Sequence, residues 1–349
     1  MRAEERRYAK YDSIIIGTGQ AGPSLAHRLD GRKGRRDRAP SLWRHCVKTG
    51  CTPTKTLVAS AYAAHLARRA GDFGVSVAGP VTVDMKKVKE RKDYVLGPST
   101  RGVERALRNN PNITVYLGHA RFNSTESLVV GDETLTASKI FINVGSRAPV
   151  PEIPGLVGTH VLVAVGRRPN TDDLHKAGVA VDKRGYIEVD DQLNTSVPSI
   201  WALGDCNGRG AFTHAAYNDF EIVAANLLDN DPRRVSDRIP AYNLYTDPPL
   251  GRVGMTEAEV RKTGKRALIA KMAMEDVSRA FEKGETQGVM KILVDAESKQ
   301  FLGASILGVG GDEVVHSILD LMYAKAQYTV MPTVSELLPT MLGDLKPLE

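Results

Sequence analysis

Runs of β-branched and other apolar residues mark the predicted buried strands of this chain. Residues 11–16 (YDSIII) form one such run, and residues 140–144 and 200–203 form two more, each followed by a glycine. Short apolar runs bounded by turn residues are typical of buried strands. This part of the chain therefore predicts an α/β domain.

The pattern changes from about Tyr242 onwards. An extended, turn-rich stretch at 247–254 precedes two predicted strands, 289–294 and 301–307. In the helix predicted after them, apolar residues recur at i, i+3, i+4 and i+7: Val315, Ile318, Leu319 and Met322. We predict that this helix face packs in the core of a second, α+β domain.

The length and composition limit the class of protein. A chain of 349 residues allows two or three domains, and 42% apolar with 25% charged residues is ordinary for a globular protein. No apolar run approaches the roughly 18 to 20 residues of a membrane helix. The N-terminal residues are charged and lack the apolar core of a signal peptide. We therefore expect a cytoplasmic protein that does not bind a membrane.

The net charge of +6 comes mostly from one segment. Residues 31–45 contain five Arg, one Lys and one Asp, so they contribute +5 and leave +1 for the rest of the chain. A single basic segment without interleaved aromatic residues is weak evidence for nucleic-acid binding. We therefore expect no nucleic-acid partner.

A glycine fingerprint follows the first predicted strand. Gly17, Gly19 and Gly22 have the spacing Gly-x-Gly-x-x-Gly and lead into a helix predicted over 23–29. Glycines at this spacing let the backbone turn tightly and approach a diphosphate, whose charge then lies at the helix N-terminus. Alone, the fingerprint is also compatible with a glycine-rich turn in another α/β unit.

A cysteine pair and a second glycine motif narrow this interpretation. Cys46 and Cys51 are separated by four residues and followed by Thr-Pro-Thr-Lys, and residues 195–205 predict a turn, a buried strand and then Gly-Asp. Together with the fingerprint, these motifs resemble those of the flavin-dependent pyridine nucleotide-disulfide oxidoreductases, the family of glutathione reductase, dihydrolipoyl dehydrogenase and mercuric reductase. The resemblance implies FAD as cofactor, NAD(P)H as electron donor and a small disulfide, thiol or metal ion as substrate.

The resemblance assigns the redox chemistry to the cysteine pair. Cys51 would lie against the flavin as a thiolate, and Cys46 would exchange with the substrate. The thiolate is the reactive form of cysteine, and the start of a helix stabilises it. Lys55, one turn after Cys51, matches the family's lysine near the reactive nitrogen of the flavin. Cys206 is expected to be a small buried residue.

The same resemblance assigns residues that hold the cofactor. Asp205 would hydrogen-bond the ribityl chain, and Gly145 lies in the turn that closes the flavin domain. His214 and Ala215 open a predicted helix whose N-terminus would face the pyrimidine edge of the flavin, where negative charge collects on reduction. His214 is equally compatible with a helix-start residue that has no electronic role. No metal site is expected.

Residues 31–45 (GRKGRRDRAPSLWRH) depart from the family pattern. The family has a second apolar strand there, which ends in an acidic residue for the ribose hydroxyls, and Gly-Gly-Thr before the first cysteine. This sequence predicts no strand in the stretch. Asp37 stands at about the expected distance from Gly17, but no apolar run leads to it.

A whole domain is also missing from the pattern. After the Pro-rich linker 149–156, the family has a nicotinamide-nucleotide domain of roughly a hundred residues, a usual domain size. Here only four residues separate Leu156 from residues 161–170 (VLVAVGRRPN), which resemble the last strand of that domain. No second Gly-x-Gly-x-x-Gly followed by a helix occurs downstream. We therefore expect the NAD(P)H-binding domain to be absent.

The family's catalytic base is altered as well. It is a histidine directly before Pro-Thr with a glutamate five residues after it, and here Met331 takes the histidine position while Glu336 is retained. Loss of a general base costs about 10²- to 10⁴-fold in rate. Glycine motifs at 284–288 and 311–313 fit the mercuric reductase-like branch best, although the C-terminal cysteine pair of that branch is missing.

The predicted fold is therefore α/β: a Rossmann-like, three-layer FAD-binding domain with a C-terminal α+β dimerisation domain. The predicted segments are the first part of the FAD domain (1–156), a remnant of the NAD(P)H domain with the return linker (157–172), the second part of the FAD domain (173–238) and the dimerisation domain (239–349). We interpret the chain as a homodimeric flavoprotein oxidoreductase with impaired activity. The alternative is a non-catalytic dimeric remnant that at most binds flavin.

We hypothesise that residues 31–45 are read one base out of frame. Shifted by one base, possible codons for residues 31–46 permit AGKVAVIERHLFGGT, which contains the expected strand, acid and glycines. The Trp43–Arg44 junction yields glycine with any arginine codon. Sequencing the gene alongside its relatives tests this hypothesis. An insertion or deletion is expected at this stretch, and an unambiguous frame without one contradicts it.

Overall fold

The computed structural model describes residues 7–30, 37–40, 50–149, 153–155, 165–172, 174–326, 341 and 345–348. The chain divides into two compact units, Met1–Val235 and Ser236–Glu349. The first unit contains a mostly parallel sheet with helices, and the second an antiparallel sheet with helices. The predicted α/β fold with a second, α+β domain is confirmed.

The first unit contains nine strands and four α-helices within its described residues. The strands are β1 (Arg7–Ile16), β2 (Asp37–Pro40), β3 (Ile113–Tyr116), β4 (Ala120–Phe122), β5 (Ser127–Val130), β6 (Glu133–Ile142), β7 (Ser146–Arg147), β8 (Arg168–Pro169) and β9 (Ile200–Ala202). The helices are α1 (Ala21–Asp30), α2 (Cys51–Arg68), α3 (Met85–Asn109) and α4 (Thr213–Ala224).

Seven of these strands form one sheet in the order β3-β2-β1-β6-β5-β4, with β9 also paired to β6. The long strand β6 pairs antiparallel with β5 along its first half and parallel with β9 along its second half. Strands β1, β2, β3, β6 and β9 are all parallel. Their carboxyl ends therefore lie along one edge of the sheet, where α/β proteins bind their ligands.

Alternate residues of the central strands supply two separate cores, as the two-residue period of a strand requires. On one face Ile15 and Phe141 pack with residues of α1 and α4, and the rings of Phe141 and Trp201 stack with centroids 5.1 Å apart. On the other face Ile14 and Ile140 pack with residues of β4, β5 and the segment 174–197. The sheet is thus the middle of three layers.

One prediction for this unit is wrong. The stretch 31–45 predicts no strand, yet Asp37–Pro40 forms β2, which pairs in parallel with β1 on one side and β3 on the other. The prediction follows from side-chain composition, whereas strand pairing is made by main-chain N–H and C=O groups that any non-proline residue carries. Residues 31–36 and 41–45 lie outside the described part of the chain.

The second unit is built around an antiparallel sheet. Its elements are β10 (Ala241–Leu244), β11 (Leu250–Gly254), α5 (Glu257–Thr263), β12 (Ala267–Ala273), α6 (Ser278–Glu282), β13 (Val289–Asp295), β14 (Phe301–Leu307), α7 (Gly311–Tyr323) and β15 (Lys346–Pro347). The strand order is β10-β11-β14-β13-β12-β15. The two strands predicted at 289–294 and 301–307 are confirmed.

The apolar face of α7 packs in the core of the second unit. Val315 and Ile318 are buried there with Ile292 and Ile306 of the sheet, and Leu319 and Met322 pack against the same cluster. The predicted helix face is therefore confirmed. No helix in the described part of the chain is long and apolar enough to cross a membrane.

Candidate functional site

Three central strands of the first unit end side by side, and the loops that follow them form the candidate site. Strand β1 leads into Gly17, β6 into Asn143, and β9 into Leu203. Main-chain hydrogen bonds continue past the strand ends, from Asn143 N to the Ile16 carbonyl at 2.8 Å and from Leu203 N to the Ile142 carbonyl at 2.9 Å. The three loops therefore leave the sheet in fixed register.

Asn143 lies at the centre of these loops with only 4% of its surface exposed. Its Oδ1 accepts a hydrogen bond from the Gly22 N–H at 3.1 Å, and its Nδ2 donates to the Leu203 carbonyl at 2.7 Å. One buried side-chain amide thus joins the first turn of α1 to the end of β9. Both of its polar atoms are satisfied, as burial requires.

The three fingerprint glycines lie where a side chain has no room. A Cβ on Gly17 would lie 2.3 Å from the Asn143 carbonyl oxygen, and one on Gly19 would lie 2.5 Å from Asn143 Oδ1. A Cβ on Gly22 would lie 2.8 Å from the Gly17 carbonyl oxygen. Gly17 also has a φ of +99°. The backbone and side chain of Asn143 therefore pack closely on the turn between β1 and α1. The glycines themselves carry no side chain that would obstruct an anionic group at the helix N-terminus.

Asp205 follows β9 in a short 3₁₀ turn, Gly204–Asn207. The Ser146 hydroxyl donates to Asp205 Oδ2 at 2.5 Å, and the Arg167 guanidinium Nε lies 3.5 Å from the same oxygen. Arg167 also donates to the Ser146 hydroxyl at 2.6 Å. Gly145, with a φ of +67°, directly precedes Ser146. The Asp205 carboxylate is thus oriented by neighbours while 22% of its side chain stays exposed.

Helix α4 starts beside this turn. A Cβ on Gly204 would lie 3.3 Å from the Cβ of Ala216, in the first turn of the helix. The helix follows Phe212, whose side chain has no acceptor for the N–H groups of that turn. His214 is exposed and its ring stacks on Phe212 with centroids 5.6 Å apart, whereas Ala215 is buried.

The structure places Cys51 and Lys55 on α2. Cys51 is the first residue of this helix and is half-buried, and Lys55 is exposed one turn later. Their placement against the flavin stays a prediction. Cys46 and Glu336 lie outside the described residues. Cys206 is buried as predicted, and this burial raises the pKa of its thiol to about 12, so the thiol stays protonated.

Four residues of the site were missed as functional candidates: Asn143, Ser146, Arg167 and Asp219. The first three lie within runs that the resemblance identified, but only the fold shows which atoms they contact. Asp219 carried a signal of its own, since it lies on the same face of α4 as Ala215 and Ile222 at helical spacing. A carboxylate on an otherwise apolar face is unusual and marks a buried polar contact.

Comparison with known proteins gives consistent matches. The family model "Pyridine nucleotide-disulphide oxidoreductase" matches residues 11–161 and 156–219, and the model of the dimerisation domain of that family matches residues 240–346.

Relatives of known description match most of the chain. The probable pyridine nucleotide-disulfide oxidoreductase RclA of Escherichia coli (strain K12) is 28% identical over 437 aligned positions, which cover 92% of this chain and 95% of RclA. A dihydrolipoyl dehydrogenase of Cupriavidus necator is 25% identical, with 91% and 92% covered. A solved structure of the HOCl-induced flavoprotein disulfide reductase RclA from Escherichia coli matches with a TM-score of 0.81 at 25% identity, covering 95% of this chain and 99% of that one.

Substitution of the fingerprint glycines tests the close packing of the candidate site. Gly17 and Gly145 both have a positive φ, so alanine at either position carries about 1–2 kcal/mol of backbone strain. Only at Gly17 does the new Cβ also meet backbone atoms, which adds overpacking of about 1–3 kcal/mol. We expect Gly17→Ala to lower the free energy of unfolding in urea more than its matched control, Gly145→Ala. Equal losses contradict the packing described for the turn.

Proposed function

The chain belongs to the pyridine nucleotide-disulphide oxidoreductase family, and we propose that its first unit binds FAD across the loops that follow β1, β6 and β9. Members of this family use FAD and NAD(P)H. The observation that carries the proposal is the convergence of the glycine turn, Asn143 and the Gly204–Asp205 turn at one sheet edge. Ligands of open α/β sheets bind outside the carboxyl ends of the strands.

The residues at this edge fit the chemistry of FAD. The glycine turn at Gly17, Gly19 and Gly22 suits the diphosphate, whose charge the N-terminus of α1 stabilises. The partly exposed Asp205 carboxylate would accept hydrogen bonds from ribityl hydroxyls, and Arg167 supplies a cation to an anionic cofactor.

Four further residues are included in the proposed FAD site. We place Gly145 in the turn next to Ser146, and His214 and Ala215 at the start of α4, where main-chain N–H groups favour negative charge. Lys55 is assigned a place near the flavin by kinship alone.

The redox chemistry is proposed for Cys46 and Cys51. When bound, the flavin would take electrons from a nicotinamide nucleotide and supply them to a disulfide. Cys51, at the start of α2, is positioned for a thiolate that the helix N-terminus stabilises. Reduction of the Cys46–Cys51 disulfide would take two electrons and two protons and yield two thiols. Cys46 would then attack a disulfide substrate, which forms a mixed disulfide and releases one substrate thiol. Attack of Cys51 on Cys46 would release the second thiol and restore the Cys46–Cys51 disulfide. Glu336 would orient a base, but Met331 at the family's base position cannot take a proton.

The proposed substrate is a small disulfide or thiol. RclA, which matches along most of the chain, is described as a disulfide reductase, and one of its solved structures is a Cu(II) complex. A metal ion is therefore the second substrate class to test. For either class, the proposed contact is the cysteine pair, by resemblance to the family.

We further propose that the NAD(P)H-binding domain is reduced to residues 157–172. The alignment with RclA spans 437 positions, whereas 92% of 349 residues is about 320, so more than a hundred positions have no counterpart in this chain. The family model matches in two segments that overlap at residues 156–161, where the sequence predicts the loss. These observations, with Met331 at the base position, favour weak reductase activity and keep a non-catalytic, flavin-binding remnant as the alternative.

A homodimer is proposed because of two separate features. Residues 240–346 match the dimerisation domain of the family. In the first unit, α2, α3 and the segment between them expose apolar side chains, among them Phe73 at 50% and Tyr94 at 80%. Several large apolar side chains exposed along one hairpin mark an interaction surface. We assign this surface to a second copy of the chain.

The flavin proposal is tested by the visible spectrum of the purified chain with and without added FAD. We expect flavin bands at about one FAD per subunit. Dithionite should bleach these bands, whereas NADPH should bleach them only slowly, because most of the nucleotide-binding domain is missing in our proposal. A chain that takes up no FAD contradicts the proposed site. Bleaching by NADPH as fast as in intact relatives contradicts the proposed loss of the domain. Asp205→Ala, which removes the proposed ribityl contact, serves as the binding-deficient control.

The dimer proposal is tested by sedimentation velocity of the same protein. We expect a mass of twice the 37.9 kDa of one chain. The double substitution Phe73→Asp and Val75→Asp should shift the equilibrium towards the monomer, because charge on both sides of an apolar contact is costly to bury. Tyr8→Asp, an exposed aromatic at the start of β1, is the matched control. A monomeric wild-type chain, or a dimer that the double substitution leaves intact, contradicts the assigned surface.

A further inference from the structure

One peptide group of the candidate site, between Leu203 and Gly204, is held from both sides by buried side chains. The Leu203 carbonyl accepts a hydrogen bond from Asn143 Nδ2 at 2.7 Å. The Gly204 N–H donates to Asp219 Oδ2 at 2.8 Å. Only Gly204 separates this peptide group from Asp205, so its orientation influences the direction in which the backbone enters that residue.

Gly204 makes such a restraint necessary. Its φ of +75° lies in the left-handed region, which glycine populates without penalty but from which it also departs easily. A peptide group next to a glycine can rotate by about half a turn while the chain on either side stays in place. The bonds from Asn143 and Asp219 lie on opposite ends of the peptide dipole, so they fit only one of the two orientations.

Asp219 is a buried carboxylate, so its desolvation lowers the stability of the fold unless its hydrogen bonds offset that cost. It is 1% exposed on α4, and its Oδ2 also accepts a hydrogen bond from Asn207 Nδ2 at 2.9 Å. Asn207 Nδ2 in turn contacts the Ala202 carbonyl at 3.0 Å. Burial of a carboxylate carries a desolvation cost that an apolar side chain would avoid. The carboxylate therefore fixes both ends of the turn Gly204–Asn207, between which Asp205 lies.

We propose that Asp219 is a positioning residue that holds the Asp205 carboxylate in the direction required by the ribityl chain of FAD. The inference rests on the proposed flavin site. Asp219 acts through the Gly204 peptide group and Asn207 and does not itself contact the cofactor. Because it lies on α4, it also fixes that turn to the helix whose first turn carries His214 and Ala215.

The test is the dissociation constant of FAD, measured by quenching of flavin fluorescence on the flavin-free full-length chain. Asp219→Ala should raise the dissociation constant about 10- to 100-fold, because two buried donors lose their acceptor. Asp219→Asn should stay within about 3-fold of wild type, because its amide oxygen accepts the same two bonds. Ser127→Ala removes a buried hydroxyl from β5, remote in the chain from the three loops, and should leave binding unchanged.

Two further measurements distinguish the proposed positioning role of Asp219 from a purely structural role. The unfolding midpoint of the flavin-free proteins reports stability. The visible circular dichroism of bound FAD reports the environment and orientation of the flavin ring. We expect Asp219→Ala to alter the dichroism at saturating FAD, and Ser127→Ala to lower the midpoint without that change. If Asp219→Ala binds FAD as wild type does, or if both variants lose affinity in proportion to their midpoints, the positioning role is wrong.

A second variant covers the case in which Asp219→Ala does not fold. Asn207→Ser removes one of the two bonds to Asp219 and should raise the dissociation constant about 3- to 10-fold. Unchanged binding in this variant overturns the inference. Failure of the wild-type chain to bind FAD has a different meaning, since it overturns the proposed function and the positioning role with it.

Discussion

The first unit depends on one buried side-chain amide, that of Asn143. Parallel strands end at a common edge, and main-chain hydrogen bonds carry their register one residue further. These bonds do not join the first turn of α1 to the end of β9. The Asn143 Oδ1 and Nδ2 atoms join the start of α1 to the end of β9, and the fingerprint glycines are needed because this amide and its backbone fill the space beside them. The glycine turn and the Gly204–Asp205 turn are therefore one constrained structure. A cofactor that contacts both would meet loops whose relative position is already set, which lowers the entropic cost of binding.

The sequence predicts the parts of this site that depend on local pattern. Apolar runs that stop at Gly17, Gly145 and Gly204 identify the strand ends, and the helical spacing of Val315 and Ile318 identifies the buried face of α7. It does not predict contacts between loops far apart in the chain, such as the bond between Asn143 and Gly22, which are 121 residues apart. The partner of a polar side chain depends on the finished sheet order, so Asn143 and Asp219 become informative only once β1, β6 and β9 lie side by side.

Strand β2 is an element that the sequence predicts to be absent and that the structure contains. Its sequence lacks the apolar residues of a central strand, yet the main chain of Asp37–Pro40 lies between β1 and β3. Side-chain composition and backbone pairing are separate contributions to a strand, and the second persists where the first is poor. A polar strand in the middle of a sheet gives up apolar burial on both faces. The backbone pairing of this stretch is thus compatible with the fold, and the hypothesised shift in reading frame would supply the apolar residues that a central strand usually carries.

The end of the return linker, residues 167–172, shows how the proposed flavin site would stay ordered with the proposed shortening of the nucleotide-binding domain. Asn170 donates from its main-chain N to the Gly145 carbonyl at 3.1 Å and from its side chain to the Val144 carbonyl at 3.0 Å. Arg147 bonds Asp172 at 2.5 Å, and this hydrogen bond holds the pKa of the Asp172 carboxyl below its usual range. These contacts fasten residues 167–172 to the end of β6 directly, whatever the length of chain between Gly155 and Val165. Arg167 consequently reaches Ser146 and Asp205 by local contacts alone. The electron-accepting half of the proposed site can therefore persist without the domain that would supply its electrons.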